Sequence, residues 1–491
     1  MTFVRSRHFL IALVCVGLVA GYAAVARPSV QAQAPRAGSA ESITETSLRA
    51  HLEFLASDAL NGRASNSRDE WIAASYIASQ FRLWNLEPMG DNGGYVQAAE
   101  ILREQMASPA VLSAGSNRFT HGKELLVTAL TGTRVSGPLV KLAANATSVP
   151  PGSVVLMPDV PPASPGAAGQ PAAGRGGRGG VSPATVGAAL VISLVTQTPE
   201  QWTAAAARPV NAGSRFTKVT PAPGAPIRTA RVALNRQAYD AIAAMAEGTT
   251  VSLDGELTAT KAYTWNAVGR ITGSDATAKE QVVVLGAHLD HLGMRENAPG
   301  TDKIYNGADD DGSGTVAVMA LAQALAAGPR LKRTLVFALF GSEESGGAVS
   351  GSSYFVDLPV VSLDKIVAQL QFEMLARPDP KVPARSLWLT GYERSNLGSE
   401  LDKHGARLVL DPRPEQSFFT RSDNIKFARK GVVSHTVSSF NLHTDYHQAG
   451  DEVSKVDFAH MVDAVRSMLE PVRWLANSTF TPAWTAEGRP R

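Results

Sequence analysis

The 491-residue chain exceeds the usual size of one domain, and its 44% hydrophobic and 18% charged residues describe a globular protein with ample chain for a core, not a disordered one. Lys and Arg exceed Asp and Glu by only 46 to 44, so net charge singles out neither nucleic acid nor an anionic membrane as a partner. The lone cysteine, Cys15, sits in an apolar N-terminal run, which excludes disulfides and thiol catalysis elsewhere and leaves His, Asp and Glu as the ligands for any metal.

In chain order, Arg5, Arg7 and His8 precede an apolar run over 9–20, and Ala24-Val25-Ala26 offers small residues for cleavage. Residues 1–26 therefore read as an export signal, with an uncleaved anchor as the alternative, and 27–44 as a flexible spacer. The expected destination is secreted or periplasmic. Helical patterns follow around 47–56 and 70–83, separated by Asn61-Gly62-Arg63, and open the first part of a main domain at 45–126. From 127 to 261 the pattern changes to short β-like runs such as 152–157 and 188–193, read as an inserted β-rich module. Within it, 161–184 is too rich in Gly, Pro and Ala to pack and is expected to be a disordered loop. Gly174, Gly176 and Gly179 have dinucleotide-binding spacing but no strand before them or helix after them, so they read as linker.

Beyond Trp265, strands alternate with helices: a strand at 281–286, a helix at 314–327, strands at 334–340, 366–372, 386–390 and 431–437, and a last helix at 458–475. That rhythm predicts an α/β sheet, with 262–476 as the second part of the main domain and 477–491 as a tail.

Carboxylates and histidines concentrate where these strands end, the edge at which open α/β sheets place their sites. His288 ends one strand, with Asp290 two residues on, able to orient an imidazole from behind. Asp309-Asp310-Asp311 precede a helix, and three adjacent carboxylates repel one another unless a cation or hydrogen bonds compensate. Glu343-Glu344 follow another strand, suited to a division between metal binding and proton transfer. Glu373 sits among apolar residues, where an ionised carboxylate needs a counter-charge. The segment 443–451 adds His443, Asp445, Tyr446, His447 and Asp451; His447 is the expected ligand and His443 its rival. No nucleophile elbow, phosphate loop or helical His-Glu-x-x-His motif is present.

The succession Ala-His-Leu-Asp, Gly-Ala-Asp-Asp-Asp-Gly-Ser-Gly, Ser-Glu-Glu, Phe-Glu-Met and Asp-Tyr-His resembles metallopeptidase family 28, which includes leucyl-type, aminopeptidase S and aminopeptidase Y enzymes. The resemblance covers about 47–125 and 265–475 and implies a three-layer αβα zinc-exopeptidase fold with a mixed central sheet. The β-rich insert is similar to a protease-associated domain. By motif, the resemblance implies two zinc ions, with His288 and Glu373 on one, Glu344 and His447 on the other, and Asp310 bridging both. It places Glu343 as general base and Asp290 behind the histidine. Tyr446 is a candidate for stabilising an oxyanion. The family often has Asp where this chain has Glu373. The function implied is hydrolysis of the N-terminal bond of peptides by a monomer, with no nucleic acid and no membrane beyond the export signal. The alternatives are a carboxypeptidase or dipeptidase, for which Arg421, Lys426 or Arg377 would clamp a carboxylate, a glutaminyl-cyclase-like transferase, and a non-catalytic binding protein on the same scaffold.

Overall fold

Two runs, Val282–His288 and Thr334–Phe340, are buried at every position, the pattern of strands covered on both faces. They pair in parallel at the centre of a mixed sheet. The structure is a computed structural model and describes residues 38–143, 145–159, 185–220, 228–345 and 349–490.

In chain order the main domain comprises α1 (Glu45–Leu55), α2 (Arg68–Leu83), β1 (Val96–Met106), β2 (Asn211–Phe216), β3 (Leu257–Ile271), β4 (Val282–His288), α3 (Gly314–Ala326), β5 (Thr334–Phe340), α4 (Gly351–Asp357), β6 (Ile366–Phe372), β7 (Leu387–Leu389), α5 (Leu397–Lys403), β8 (Leu408–Leu410), α6 (Asn424–Lys430), β9 (Ser434–Ser438) and α7 (Phe458–Asn477). The strands lie in the order β8, β7, β9, β6, β4, β5, β3, β1, β2. From β9 to β5 the central four are parallel, and β3 closes onto β5 antiparallel. The chain passes from β4 to β5 on one side and then crosses to β6 on the other, so the sheet's switch point falls at β4.

Alternation along β5 explains the three layers. Leu335, Phe337 and Leu339 pack with Leu52 of α1, Ile77 of α2, Met319 of α3 and Leu469 of α7. Val336, Ala338 and Phe340 face the other way, against Phe355 of α4 and Phe427 of α6. Helix α3 is apolar nearly all round because it is enclosed: from Gly314 to Leu325 only Gln323 is not buried.

A second sheet of eight strands has its own core, including Leu112, Leu139, Ile192 and Leu253. It begins at Val111, ahead of the boundary expected at 127, because Val111–Ala114 and Asn117–Thr120 form a hairpin too short to register as a change of pattern. Two stretches expected in the insert join the main sheet instead: β2 pairs with β1 at its edge, and 257–261 begins β3. The long ribbon of β1 and β3 is not legible in the sequence because its outer half, half-buried along β1 and exposed along β3, carries Glu100, Arg103, Glu104 and Lys261, which mask its period.

The expected tail is packed: Trp484 Nε1 donates to Gly431 O at 3.0 Å, and its ring lies against Phe419 and His435. The export signal, most of the spacer and the 161–184 loop lie outside the described residues. Among the described residues no helix is long and apolar enough to cross a membrane.

Candidate metal centre

The strands near the switch point deliver acidic or imidazole groups at their carboxyl ends. His288 is the last residue of β4, Glu343 and Glu344 follow β5, and Glu373 follows β6. Asp310 precedes α3, and His447 lies in the loop between β9 and α7. The fold brings these together. His288 Nε2 is 3.3 Å from Asp310 Oδ1 and 4.0 Å from Glu373 Oε1. His447 Nε2 is 3.0 Å from Asp310 Oδ2 and 3.1 Å from Glu344 Oε1. Asp310 therefore stands between two His–Glu pairs. His288 Nε2 and Asp310 Oδ2 are buried yet have no hydrogen-bond partner among the described residues, which is costly unless a cation satisfies them. These converging atoms, supplied by imidazole and carboxylate, of which His447 Nε2 and Glu344 Oε1 are hydrogen-bonded at 3.1 Å, fit a site for zinc.

The supports are as specific as the cluster. Asp290 is fully buried; its carboxylate accepts the backbone N–H of Glu343 at 3.0 Å and of Glu344 at 3.2 Å, accepts Ser65 Oγ at 2.5 Å, and lies 3.7 Å from His288 Nδ1. One side chain thus orients the imidazole and the paired glutamates together. Asp451 accepts the N–H groups of Asp309 and Asp310, and Asp311 accepts those of His288, Gly314 and Met374. Of the three adjacent carboxylates, only Asp310 is left facing the cluster, since Asp309 binds Ala376 N, Ser313 Oγ and His443 Nε2. Ser342, Met374 and His447 all adopt left-handed backbone, with φ of 55°, 54° and 56°, a costly conformation for non-glycine residues that clusters at functional sites.

The electrostatics follow from packing these charges together. Burial opposes protonation of His288 and His447, but Asp290 and Asp310 raise His288 well above the usual imidazole range, and Asp310 with Glu344 raises His447 to about 10. Burial and Asp310 push Glu344 up, yet His291 and His447 bring it down to about 2. Glu373, enclosed and near Asp310, rises to about 7 despite His288. Protons on the imidazoles occupy the role that a metal cation would take.

A cavity opens onto the cluster, lined by Asp310, Glu343, Glu344 and Glu373 and by Met374, Trp388, Phe418 and Phe440 among others. Glu343 is half-buried in that lining beside Glu344. Tyr446 also lines it; its ring stacks on His447 at 3.9 Å, and burial with the nearby Asp310 and Glu344 holds its hydroxyl well above the ordinary phenol range.

His443, the rival ligand, is tied to Asp309 at 3.1 Å instead. Arg377 pairs with Asp445 at 2.7 Å and Asp451 at 3.3 Å, and Asp379 pairs with Arg413, so these groups are committed outside the cavity. The sequence reading missed three residues. His291, directly after Asp290, is fully buried, neither ring nitrogen has a hydrogen-bond partner among the described residues, and its Nδ1 is 3.4 Å from Glu344 Oε1. Its proximity to the motif was an available signal. Arg63 gives its guanidinium to the backbone carbonyls of Leu55, Leu289, Asn306 and Gly307, tying α1 to both ligand loops. Glu70 binds Asn66 N, Thr264 Oγ1, Trp265 N and Ser342 Oγ. Neither has a local signal, because their partners are remote in sequence.

Residues 266–471 match the model of Peptidase family M28. The probable lipoprotein aminopeptidase LpqL of Mycobacterium tuberculosis is 36% identical over 109 residues, 22% of this chain and 19% of that protein. Leucine aminopeptidase 2 of Trichophyton equinum is 33% identical over 117 residues, 24% of this chain and 20% of that protein. The match thus spans about a fifth of the length of these relatives. Among solved structures, an aminopeptidase from Aneurinibacillus sp. strain AM-1 aligns over 90% of this chain and 97% of its own, at 15% identity and a TM-score of 0.48. BSAP, a zinc aminopeptidase from Bacillus subtilis, aligns over 91% and 97% at 16% identity, with a TM-score of 0.46. The segment that matches this family model holds the five convergent residues of the cluster and the Asp290 that braces them.

Proposed function

We propose that this chain is an exported, zinc-dependent aminopeptidase that hydrolyses the N-terminal bond of peptides. The observation that carries the reading is the convergence of His288, Asp310, Glu344, Glu373 and His447, with His288 Nε2 and Asp310 Oδ2 buried and without a hydrogen-bond partner among the described residues. His288 and Glu373 would hold one zinc, Glu344 and His447 a second, and Asp310 both. When bound, zinc supplies Lewis acidity, polarising a scissile carbonyl and allowing water to ionise near neutral pH. Glu343, on the cavity wall beside Glu344, takes the proton of the attacking water and returns it to the leaving amine. Tyr446, kept protonated by its surroundings, donates its O–H to the oxygen on which negative charge develops. Asp290 holds His288 and the Glu343–Glu344 backbone in register for both tasks.

The acidic wall of the cavity suits the positive charge of a free α-amine, and this favours an exopeptidase acting from the N-terminus. Export rests on the basic residues and apolar run at the N-terminus, and a relative named as a lipoprotein aminopeptidase agrees with it. The second sheet is read as a protease-associated-like module that limits access to the site. Elemental analysis together with hydrolysis of free and N-acetylated leucyl anilides tests the reading. The expected result is two zinc ions per chain and cleavage of the free substrate alone; a protein that retains no zinc, or that cleaves the blocked substrate equally well, overturns it.

A further inference from the structure

Tyr446 has a second neighbour besides His447. Arg421, which also lines the cavity, brings Nη2 to 3.4 Å from the Tyr446 hydroxyl and lays its guanidinium 5.0 Å over the Phe418 ring. It pairs with no carboxylate among the described residues, whereas in the surrounding loops Arg377 has two, Asp445 and Asp451, and Arg413 has Asp379. Trp388 stacks on the same Phe418 ring at 5.4 Å, lines the same cavity and is 2% exposed. Its indole N–H, which can only donate, has no acceptor among the described residues. A guanidinium without a carboxylate partner and an indole N–H without an acceptor among the described residues thus flank one aromatic ring, next to the phenol that leads to the metal cluster. A cavity prepared for an apolar side chain alone has no use for either, because a cation without a counter-charge and an unpaired buried N–H each weaken the site they border.

We infer that this part of the cavity, formed by Arg421, Trp388 and Phe418, receives a carboxylate of the substrate, carried either by an acidic side chain or by the free C-terminus of a dipeptide. The guanidinium supplies charge-assisted hydrogen bonds, Trp388 a neutral one, and Phe418 holds the guanidinium in place from its face. This deepens the aminopeptidase reading and rests on it, since the carboxylate is placed relative to a bond cleaved at the metal cluster.

The test uses pairs that differ only in carboxylate against carboxamide: glutamyl against glutaminyl anilide for the side chain, and Leu-Leu against Leu-Leu-amide for the C-terminus. The readout is the ratio of kcat/KM within a pair, which cancels any effect that Arg421 has on the reaction through Tyr446. One ratio should favour the carboxylate, fall roughly 10–100-fold in Arg421→Gln, and be partly restored in Arg421→Lys. Trp388→Phe, which keeps the ring and removes the N–H, should lower the same ratio by less. Loss from the first pair alone identifies an acidic side chain, and loss from the second alone identifies a dipeptide. If neither ratio changes, or if both members of each pair fall together, the inference is overturned. Calorimetric titration of L-glutamate against L-glutamine, and of the dipeptide pair, reads the same selectivity without turnover. A protein that cleaves nothing yet binds the carboxylate through Arg421 refutes the aminopeptidase reading alone. A protein that cleaves anilides with no carboxylate preference refutes the inference alone.

Discussion

Asp290 is buried between two ligand-bearing loops, and both of its oxygens are used: one on the Glu343 N–H, the other on the Glu344 N–H and Ser65. Asp290→Asn keeps the shape but puts an amide N–H₂ where an acceptor is needed, so zinc affinity should fall on the order of 10–100-fold, measured by competition with a chromogenic chelator. An unchanged affinity would mean that His288 is oriented by its other contact, the Asp290 carbonyl oxygen at 3.2 Å. The neighbouring glutamates separate by role. Glu344 lies against His447 and Glu343 stands on the cavity wall, so Glu343→Gln should keep its metal and lose roughly 10²–10⁴ in kcat, while Glu344→Gln should lose metal as well. Elemental analysis beside a leucyl-anilide assay distinguishes them, and equal metal loss in both would reverse the assignment.

At the scale of elements, the loop entering α3 is shaped by glycine. Gly307 has φ of 60°, and a Cβ there would meet Asp310 O at 2.3 Å and the His291 ring at 2.5 Å. Both are backbone or fully buried groups at the cluster, with no room to yield. Gly307→Ala should therefore cost more than about 1 kcal/mol of stability and displace Asp310 and His291, lowering zinc affinity along with the urea midpoint. A variant less stable but with unaltered zinc affinity would show that the loop absorbs the strain away from Asp310. Arg63 holds this loop from the outside through the Asn306 and Gly307 carbonyls, which leaves the glycine as the point where the chain has to turn.

Across the whole molecule, His435 on β9 links separate parts of the far edge. Its Nδ1 faces Thr390 O at 2.8 Å, so that nitrogen carries the proton, and Nε2 accepts Ser395 Oγ at 2.6 Å, while Trp484 from the C-terminal segment covers the ring. Burial pushes its pKa down to about 4. The unfolded chain then takes up a proton near the ordinary value of about 6.5, before the folded chain does. Stability is accordingly full above about pH 6.5 and declines by roughly 1.4 kcal/mol per unit as pH falls toward the folded value. Urea midpoints between pH 7 and 4.5 should fall more steeply for the native protein than for His435→Asn, by the slope of one proton; parallel lines would rule out this linkage.

The sequence by itself determined the central strands, α3, α7 and the candidate ligands, because these signals are local: long buried apolar runs, and acidic or imidazole groups immediately after them. It did not disclose the ribbon of β1 and β3, whose outer halves carry charge, or the start of the second sheet at Val111, where short strands are defined by pairing and not by their own pattern. Only the tertiary structure decided which of Asp309, Asp310 and Asp311 faces the cluster, since backbone N–H groups from other loops claim the outer two. It likewise tied His443 to Asp309, committed Arg377 to Asp445 and Asp451, and left Arg421 in the cavity without a carboxylate and the Trp388 N–H without an acceptor among the described residues. Residue type and spacing determine what chemistry is available, whereas the partners that satisfy or orphan each group arrive from sequence positions far away.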